Sequence, residues 1–215
     1  MTMASWVTDK LGESGYYAQE VGSGGVRIEG TATHGDVLIY VGEASAVPFE
    51  VADFERVAAA HPTCQAIVMI RRAVGIGVVE AAASDGVLVA PFGHVKQALG
   101  TTGEIGAFLH QDEIYLRSRL LQARHVTDVV RIGTQSWRIE RTGGLDLEII
   151  THDRYEFPVS ELRELLAQHP GLTPDAFVIT NPNCRGLSTR VQEASKEVGV
   201  EVHLLNDFFA RIARP

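Results

Sequence analysis

Hydrophobic and polar positions follow the same pattern twice along this chain. Residues 51–62 (VADFERVAAAHP) and 159–170 (VSELRELLAQHP) both place apolar residues at helical spacing, and both end in His-Pro. This spacing predicts one amphipathic helix in each segment, ended by the proline. His61 then corresponds to His169.

The segments around these two helices repeat in the same order. One pair alternates apolar and charged residues, which is typical of a strand with one exposed face, and the next pair is almost continuously apolar, as in a strand covered on both faces. Such an ordered repeat indicates a tandem duplication. The corresponding segments are 25–30 with 136–141, 65–70 with 175–180, and 80–89 with 193–202.

Each copy is predicted to contain helix, three strands, helix, strand, helix, strand and helix. A strand, helix, strand succession implies parallel neighbours with right-handed connections. We therefore expect an α/β fold with two similar halves, each a mixed β-sheet flanked by helices, related by pseudo-two-fold symmetry. The expected boundaries are residues 1–100, a connector at 101–112, and residues 113–215.

Composition narrows the classes of function. The chain has 45% hydrophobic residues, a mean hydropathy of +0.04 and no apolar run of the length that spans a bilayer, and its first residues lack signal-peptide features. We expect a cytoplasmic protein with no membrane association. The net charge of −8 disfavours nucleic acid as a partner unless positive charge is gathered on one face. Cys64 and Cys184 lie at non-equivalent positions, which indicates reduced thiols.

The order of elements, with Gly-Gly-Val-Arg-Ile opening the second strand, resembles the restriction-endonuclease-like superfamily, particularly its Mrr-like branch. In that family the second strand carries a metal-binding Asp, and the third carries Gln or Glu, one further residue, and Lys. The carboxylates hold a divalent cation, which stabilises charge while water attacks a phosphate. The resemblance therefore implies a nuclease fold.

The residues that this chemistry needs have been replaced in both copies. The position of the metal-binding Asp corresponds to Arg27 and Arg138, and a guanidinium cannot ligate Mg²⁺. The third-strand positions fall near Tyr40 and Gly42 in the first copy, and near Glu148 and Ile150 in the second. Glu148 alone remains as a catalytic remnant, so the resemblance implies two degenerate sites with no cofactor.

The arginines suggest what replaces the metal. Arg27 and Arg138 are expected on the same strand face as Glu29 and Glu140, where each could neutralise a carboxylate, and Arg138 could also reach Glu148. The alternative is a solvated face on which Arg and Glu simply alternate.

A second interpretation keeps a metal. Strand alternation puts Asp146, Glu148 and His152 on one side, with Asp153 beside them, and this is the densest group of candidate ligands in the sequence. The same residues are also typical of a strand that runs out into a polar turn.

The remaining candidates are weaker. His61 and His169 each end a helix, where a cationic side chain suits the last carbonyls. Cys184, in the turn that begins with Asn181, is the best nucleophile candidate, although Asn-Pro-Asn forms turns by itself. Arg71 and Arg72 end a strand and either contact phosphate or an acidic partner, or are solvated.

These observations favour a protein without catalytic activity over an enzyme. We expect an inactive nuclease-like binding or scaffold protein with a protein partner or self-association, in a nucleic-acid-processing or phage-defence assembly by fold analogy. One alternative is a divergent Mg²⁺-dependent nuclease that uses Glu148. Another is a ligand-binding regulator with a pocket between the halves, contacted by Arg71, Arg72 or Arg138.

Overall fold

The structure is a computed structural model that describes residues 1–169, 171–184 and 186–214. The chain divides into two compact units, Met1–His110 and Gln111–Pro215, which we call unit 1 and unit 2. Each unit is described by itself.

Unit 1 contains four helices and five strands among its described residues, and a 3₁₀ turn at Ile105–Ala107 follows the last helix. The elements in chain order are α1 Met3–Gly12, β1 Ala18–Glu20, β2 Gly25–Ile28, β3 Val37–Gly42, α2 Val51–Ala60, β4 Cys64–Met69, α3 Val78–Ser84, β5 Leu88–Ala90 and α4 Phe92–Thr101.

Unit 2 repeats this order of helices and strands within the part that the structure describes. Its elements are α5 Gln111–Leu120, β6 Val126–Arg131, β7 Ser136–Arg141, β8 Leu147–His152, α6 Val159–Gln168, β9 Ala176–Ile179, α7 Thr189–Val198, β10 Glu201–Leu204 and α8 Leu205–Ile212.

The two sheets have the same topology. In unit 1 the order is β1-β2-β3-β4-β5, with antiparallel pairing from β1 to β3 and parallel pairing from β3 to β5. In unit 2 the strands β6 to β10 lie in the same succession, antiparallel from β6 to β8 and parallel from β8 to β10. The expected α/β class, with two mixed sheets flanked by helices, is confirmed.

Each sheet is covered on both faces, which explains its apolar strands. In unit 1, α1 and α4 pack on one face around Leu11, Ile39 and Leu99, and α2 and α3 pack on the other around Phe54 and Ile67. In unit 2, α5 and α8 cover one face, and α6 and α7 cover the other. Alternate residues of a strand therefore enter different cores.

The ladders fix which residues of the two units correspond. Arg27 lies opposite Leu38, and Arg138 lies opposite Glu148, so Glu148 corresponds to Leu38. Tyr40, which lies opposite Gly25, corresponds to Ile150, which lies opposite Ser136. The sequence alignment that matched Tyr40 with Glu148 was therefore two residues out of register, because the loop before α2 is longer than the loop before α6.

Helix α3 begins later than the apolar pattern from residue 74 predicts. Val74 instead forms a parallel bridge with Phe49, and the Gly75 N–H donates to the Phe49 carbonyl at 2.8 Å. Gly77 has φ +82° just before the helix, a conformation that glycine adopts without steric cost. These contacts fix the segment between β4 and α3 as a loop against the start of α2.

Candidate functional site

The two arginines that stand in the expected metal position occupy equivalent ladder positions. Arg27 on β2 is exposed and pairs in register with Gln19 and Leu38. Arg138 on β7 is half-buried and lies between Val130 and Glu148. Neighbours across a strand pair share a face, so each arginine lies on the same sheet face as the residue opposite it.

Arg138 contacts the carboxylate that was expected as a catalytic remnant. Its Nη2 lies 3.5 Å from Oε1 of Glu148, and both side chains are about one-third exposed, at 30% and 33%. The Glu148 backbone N–H donates to Oδ2 of Asp175 at 2.8 Å. A cross-strand pair with this exposure stabilises the sheet by less than about 1 kcal/mol.

The candidate metal ligands at and just before β8 have separate surroundings. Asp146 is exposed, whereas His152 is 3% exposed and its ring packs edge-on against Phe157 at 5.0 Å between centroids. Among the described residues no group of three or more His, Cys, Asp or Glu side chains is placed to hold a metal ion. Burial lowers the pKa of His152, although Glu161, 3.6 Å from Nδ1, opposes this effect.

Arg72 connects three parts of unit 1. Its Nε donates to the Val47 carbonyl at 2.9 Å, and its Nη2 donates to the Pro48 carbonyl at 3.1 Å and to Asp53 Oδ2 at 2.9 Å. The guanidinium also lies over the Phe49 ring, 5.2 Å from its centroid. With only 15% of its side chain exposed, Arg72 fixes the loop before α2. Arg71, in contrast, is exposed.

A cavity of about 290 Å³ opens beside this cluster, and we call it the Tyr40 pocket. Its walls come from the β1–β2 loop, from β3, from one side of α2 and from the end of β4. Its apolar surface includes Phe49 and Val57. The polar side chains that line it are Ser23, Tyr40, Asp53, Arg56, His61 and Arg72.

Tyr40 lies at the centre of an aromatic cluster in this pocket. Its ring centroid is 6.5 Å from that of Phe49 and 5.9 Å from that of His61. A Cβ on Gly24 would lie 2.9 Å from the Tyr40 ring, so the glycine lets the β1–β2 loop approach the ring closely. Burial raises the pKa of the Tyr40 phenol above its ordinary value, with the Arg72 charge opposing the rise.

The two helix-ending histidines differ in their contacts. Nδ1 of His169 lies 2.8 Å from the Leu165 carbonyl, so this side chain caps the last turn of α6 as expected. Burial lowers the pKa of His169, which favours the neutral imidazole over the expected cation, and the hydrogen bond to Leu165 opposes this effect. His61 instead turns its ring towards Tyr40, and its buried Nε2 has no hydrogen-bond partner among the described residues.

Cys64 does not have the surroundings of a catalytic nucleophile, and Cys184 follows a turn whose residues have a structural role. Burial raises the pKa of the Cys64 thiol to about 11, and its Sγ lies 3.2 Å from the Ala66 carbonyl. The turn at Asn181 is made by its own side chain, which accepts from the Asn183 N–H at 2.9 Å and donates to the Asp153 carbonyl at 2.8 Å. Turn formation therefore accounts for the Asn-Pro-Asn sequence.

Sequence reasoning found only part of the Tyr40 pocket. Arg72 is predicted from the sequence as a phosphate or ligand contact, whereas Tyr40 and His61 are predicted for other roles. Asp53 and Arg56 are not predicted. Glu50 and Asp53 form a capping box at the start of α2, and the sequence signals only that structural role. The pocket forms because the fold brings Arg72 to Asp53.

Comparison of the chain with protein-family models, with curated proteins and with solved structures finds no match. In the part of the chain that the structure describes, no helix has the length and apolar character needed to cross a membrane.

Proposed function

We propose that this chain is a binding or scaffold protein without catalytic activity, built from two degenerate restriction-endonuclease-like units. The order of helix, three strands, helix and strand in each unit supports this kinship, as does the change from antiparallel to parallel pairing at the third strand. By fold analogy, it serves a nucleic-acid-processing or phage-defence assembly through a protein partner or self-association.

The observation that carries the proposal is the pair of arginines at one ladder position in both units. Arg27 and Arg138 stand where the family would hold its metal-binding Asp, and Arg138 contacts Glu148, the one remaining carboxylate. A guanidinium within reach of that carboxylate repels a divalent cation and occupies the oxygen that would bind it.

The lysines support the same conclusion. The sequence contains Lys10, Lys96 and Lys196 and no others. All three lie on helices, α1, α4 and α7, so neither third strand supplies the lysine that would stabilise the charge on an attacked phosphate.

The test is a gel assay of the purified protein on supercoiled plasmid and on short single- and double-stranded DNA, with EDTA, Mg²⁺ or Mn²⁺. We expect no cleavage in any of these conditions. Metal-dependent cleavage that disappears in Glu148→Ala but persists in Glu193→Ala, an exposed control on α7, would instead establish the divergent nuclease. A band shift without cleavage would identify DNA as the partner.

Self-association is measured separately by size-exclusion chromatography with light scattering. A mass that is a multiple of 23.3 kDa at micromolar concentration is the result expected of a self-associating scaffold. A strictly monomeric protein would direct the search to other protein partners.

A further inference from the structure

We propose that the Tyr40 pocket of unit 1 binds a small organic anion, a phosphate or carboxylate group carried on a compact apolar body. The proposal goes beyond the scaffold function and does not depend on a nuclease ancestry. It rests on the charge, the unused hydrogen-bonding groups and the shape of this one pocket.

The charge of the lining favours an anion. Asp53 is the one carboxylate among the lining residues, and both of its oxygens are occupied. Oδ1 accepts from Arg56, and Oδ2 accepts from Arg72 at 2.9 Å and from the Glu50 N–H at 3.0 Å. Two guanidiniums thus share one carboxylate, so the lining residues carry one positive charge in excess.

Several groups in the pocket have hydrogen-bonding capacity to spare. Arg72 uses Nε and Nη2 for its protein contacts, which leaves Nη1 for a ligand. Arg56 uses Nη2 for Asp53 and is 73% exposed, so it can swing over an entering anion. His61 also lines the cavity, with its ring towards Tyr40. Donors of this kind bind phosphate and carboxylate with charge-assisted hydrogen bonds.

The shape and the apolar lining of the pocket favour a ligand with a compact apolar body. Tyr40, Phe49 and Val57 line the cavity, and of these three the half-buried Tyr40 ring supplies most of the accessible apolar surface because Phe49 and Val57 are buried. The volume of about 290 Å³ suits a ligand of one ring rather than a polymer. An aromatic wall beside two guanidiniums matches an anion attached to an apolar ring.

Unit 2 lacks the tyrosine and the arginine of this pocket at the equivalent positions. Ile150 corresponds to Tyr40, and Glu164 corresponds to Arg56 because α2 and α6 align residue for residue. The common fold therefore does not require the tyrosine or the arginine. They are features of unit 1 alone, as expected of residues that serve a ligand rather than the packing.

The probes are phenyl phosphate and benzoate, with inorganic phosphate to test the apolar body and benzamidinium as the cation of matching shape. Isothermal titration calorimetry of the full chain should give one saturable site for phenyl phosphate or benzoate. Inorganic phosphate should bind about tenfold more weakly because it leaves the aromatic wall uncovered, and benzamidinium should give no saturable heat.

Two variants locate the site. Arg56→Gln should weaken binding of the anionic probe about tenfold, since one charge-assisted hydrogen bond is lost. Arg163→Gln, an exposed arginine on the equivalent helix of unit 2, should leave it unchanged. A third variant, Tyr40→Phe, keeps the ring and tests whether the hydroxyl contributes to binding. Its thermal unfolding shows whether the variant protein is still folded.

Three results would overturn the proposal. The first is no saturable binding of either anionic probe up to about 10 mM. The second is equal binding of benzamidinium and benzoate, and the third is an affinity that Arg56→Gln and Arg163→Gln reduce alike. This test uses neither DNA cleavage nor band shifts. The ligand proposal can therefore fail while the scaffold proposal stands, and the scaffold proposal can fail while the ligand proposal stands.

Discussion

At the scale of single residues, two adjacent arginines show how position decides role. Arg71 and Arg72 look alike in sequence, yet Arg71 is exposed with φ +51°, whereas Arg72 is held by two carbonyls and by Asp53. A phosphate contact made by Arg72 therefore has to come from Nη1, the one guanidinium nitrogen that its protein contacts leave unused.

We predict that Arg72→Gln lowers the free energy of unfolding by about 2 kcal/mol, because Asp53 and two carbonyls lose a partly buried donor. Arg71→Gln is the matched control and should change it by less than about 0.5 kcal/mol. Urea unfolding followed by Trp6 fluorescence, in a Trp137→Phe background, measures both. Equal effects would contradict the clamp assigned to Arg72.

Two histidines of unit 2 make its stability depend on pH. Burial lowers the pKa of both His152 and His169 from the ordinary value of 6.5, so the unfolded chain binds protons more readily than the folded chain. Their contribution is therefore favourable above about pH 6.5 and is lost as the pH falls through and below that value.

Urea unfolding of Trp6→Phe, in which Trp137 reports on unit 2, should give a lower midpoint at about pH 5.5 than at about pH 7.5. His152→Leu removes one titrating group and its unpartnered Nε2, so part of this difference should disappear. An unchanged difference would show that His152 does not contribute to it.

At the scale of secondary-structure elements, the 3₁₀ turn after α4 belongs to the packing of unit 1. Ile105 is fully buried in the core under α1 and α4, and a Cβ on Gly106 would overlap the backbone carbonyl of Gly86. From its sequence alone this segment is predicted to be a connector, because it has few apolar residues and no periodic spacing.

We predict that Gly106→Ala destabilises unit 1 by about 2 kcal/mol or more, because backbone must move to admit the methyl group. Gly93→Ala, within α4, has nothing within 4 Å of the new Cβ and should be neutral or stabilising. Trp6 fluorescence in urea compares the two variants. A harmless Gly106→Ala would mean that the turn is not packed on Gly86.

The elements themselves were predictable where one local pattern decides them. Periodic helices such as α2 and α6, and the buried strand β4, follow from the spacing of apolar residues. The start of α3 did not follow, because the bridge between Phe49 and Val74 is a contact between distant segments. The predicted alignment of the two third strands, β3 and β8, is wrong for the same reason, because only the pairing with neighbouring strands fixes their register.

The candidate site shows the same limit. Arg27 and Arg138 could be matched from the shared Arg-Ile-Glu sequence, because that match is local. The pocket around Tyr40 could not be predicted from the sequence. Its ion pair between Arg72 and Asp53 joins residues 19 positions apart, which only the folded unit brings together.

At the scale of the whole molecule, the described cores fall within the two units. The two core clusters of unit 1 draw on residues from Met3 to Phe108, and those of unit 2 draw on residues from Leu116 to Ile212. A unit of about a hundred residues with both sheet faces covered has the apolar core of an independent domain.

We therefore predict that residues 1–110 and 111–215, expressed separately, each unfold cooperatively in urea. The tryptophan fluorescence of each folded fragment should match that of the same tryptophan in the full chain. Trp6 reports on the first fragment and the buried Trp137 on the second. A fragment with native-like far-UV circular dichroism but no cooperative transition would show that its core is incomplete. If the first fragment folds and binds phenyl phosphate with the affinity of the full chain, unit 1 alone is sufficient for binding.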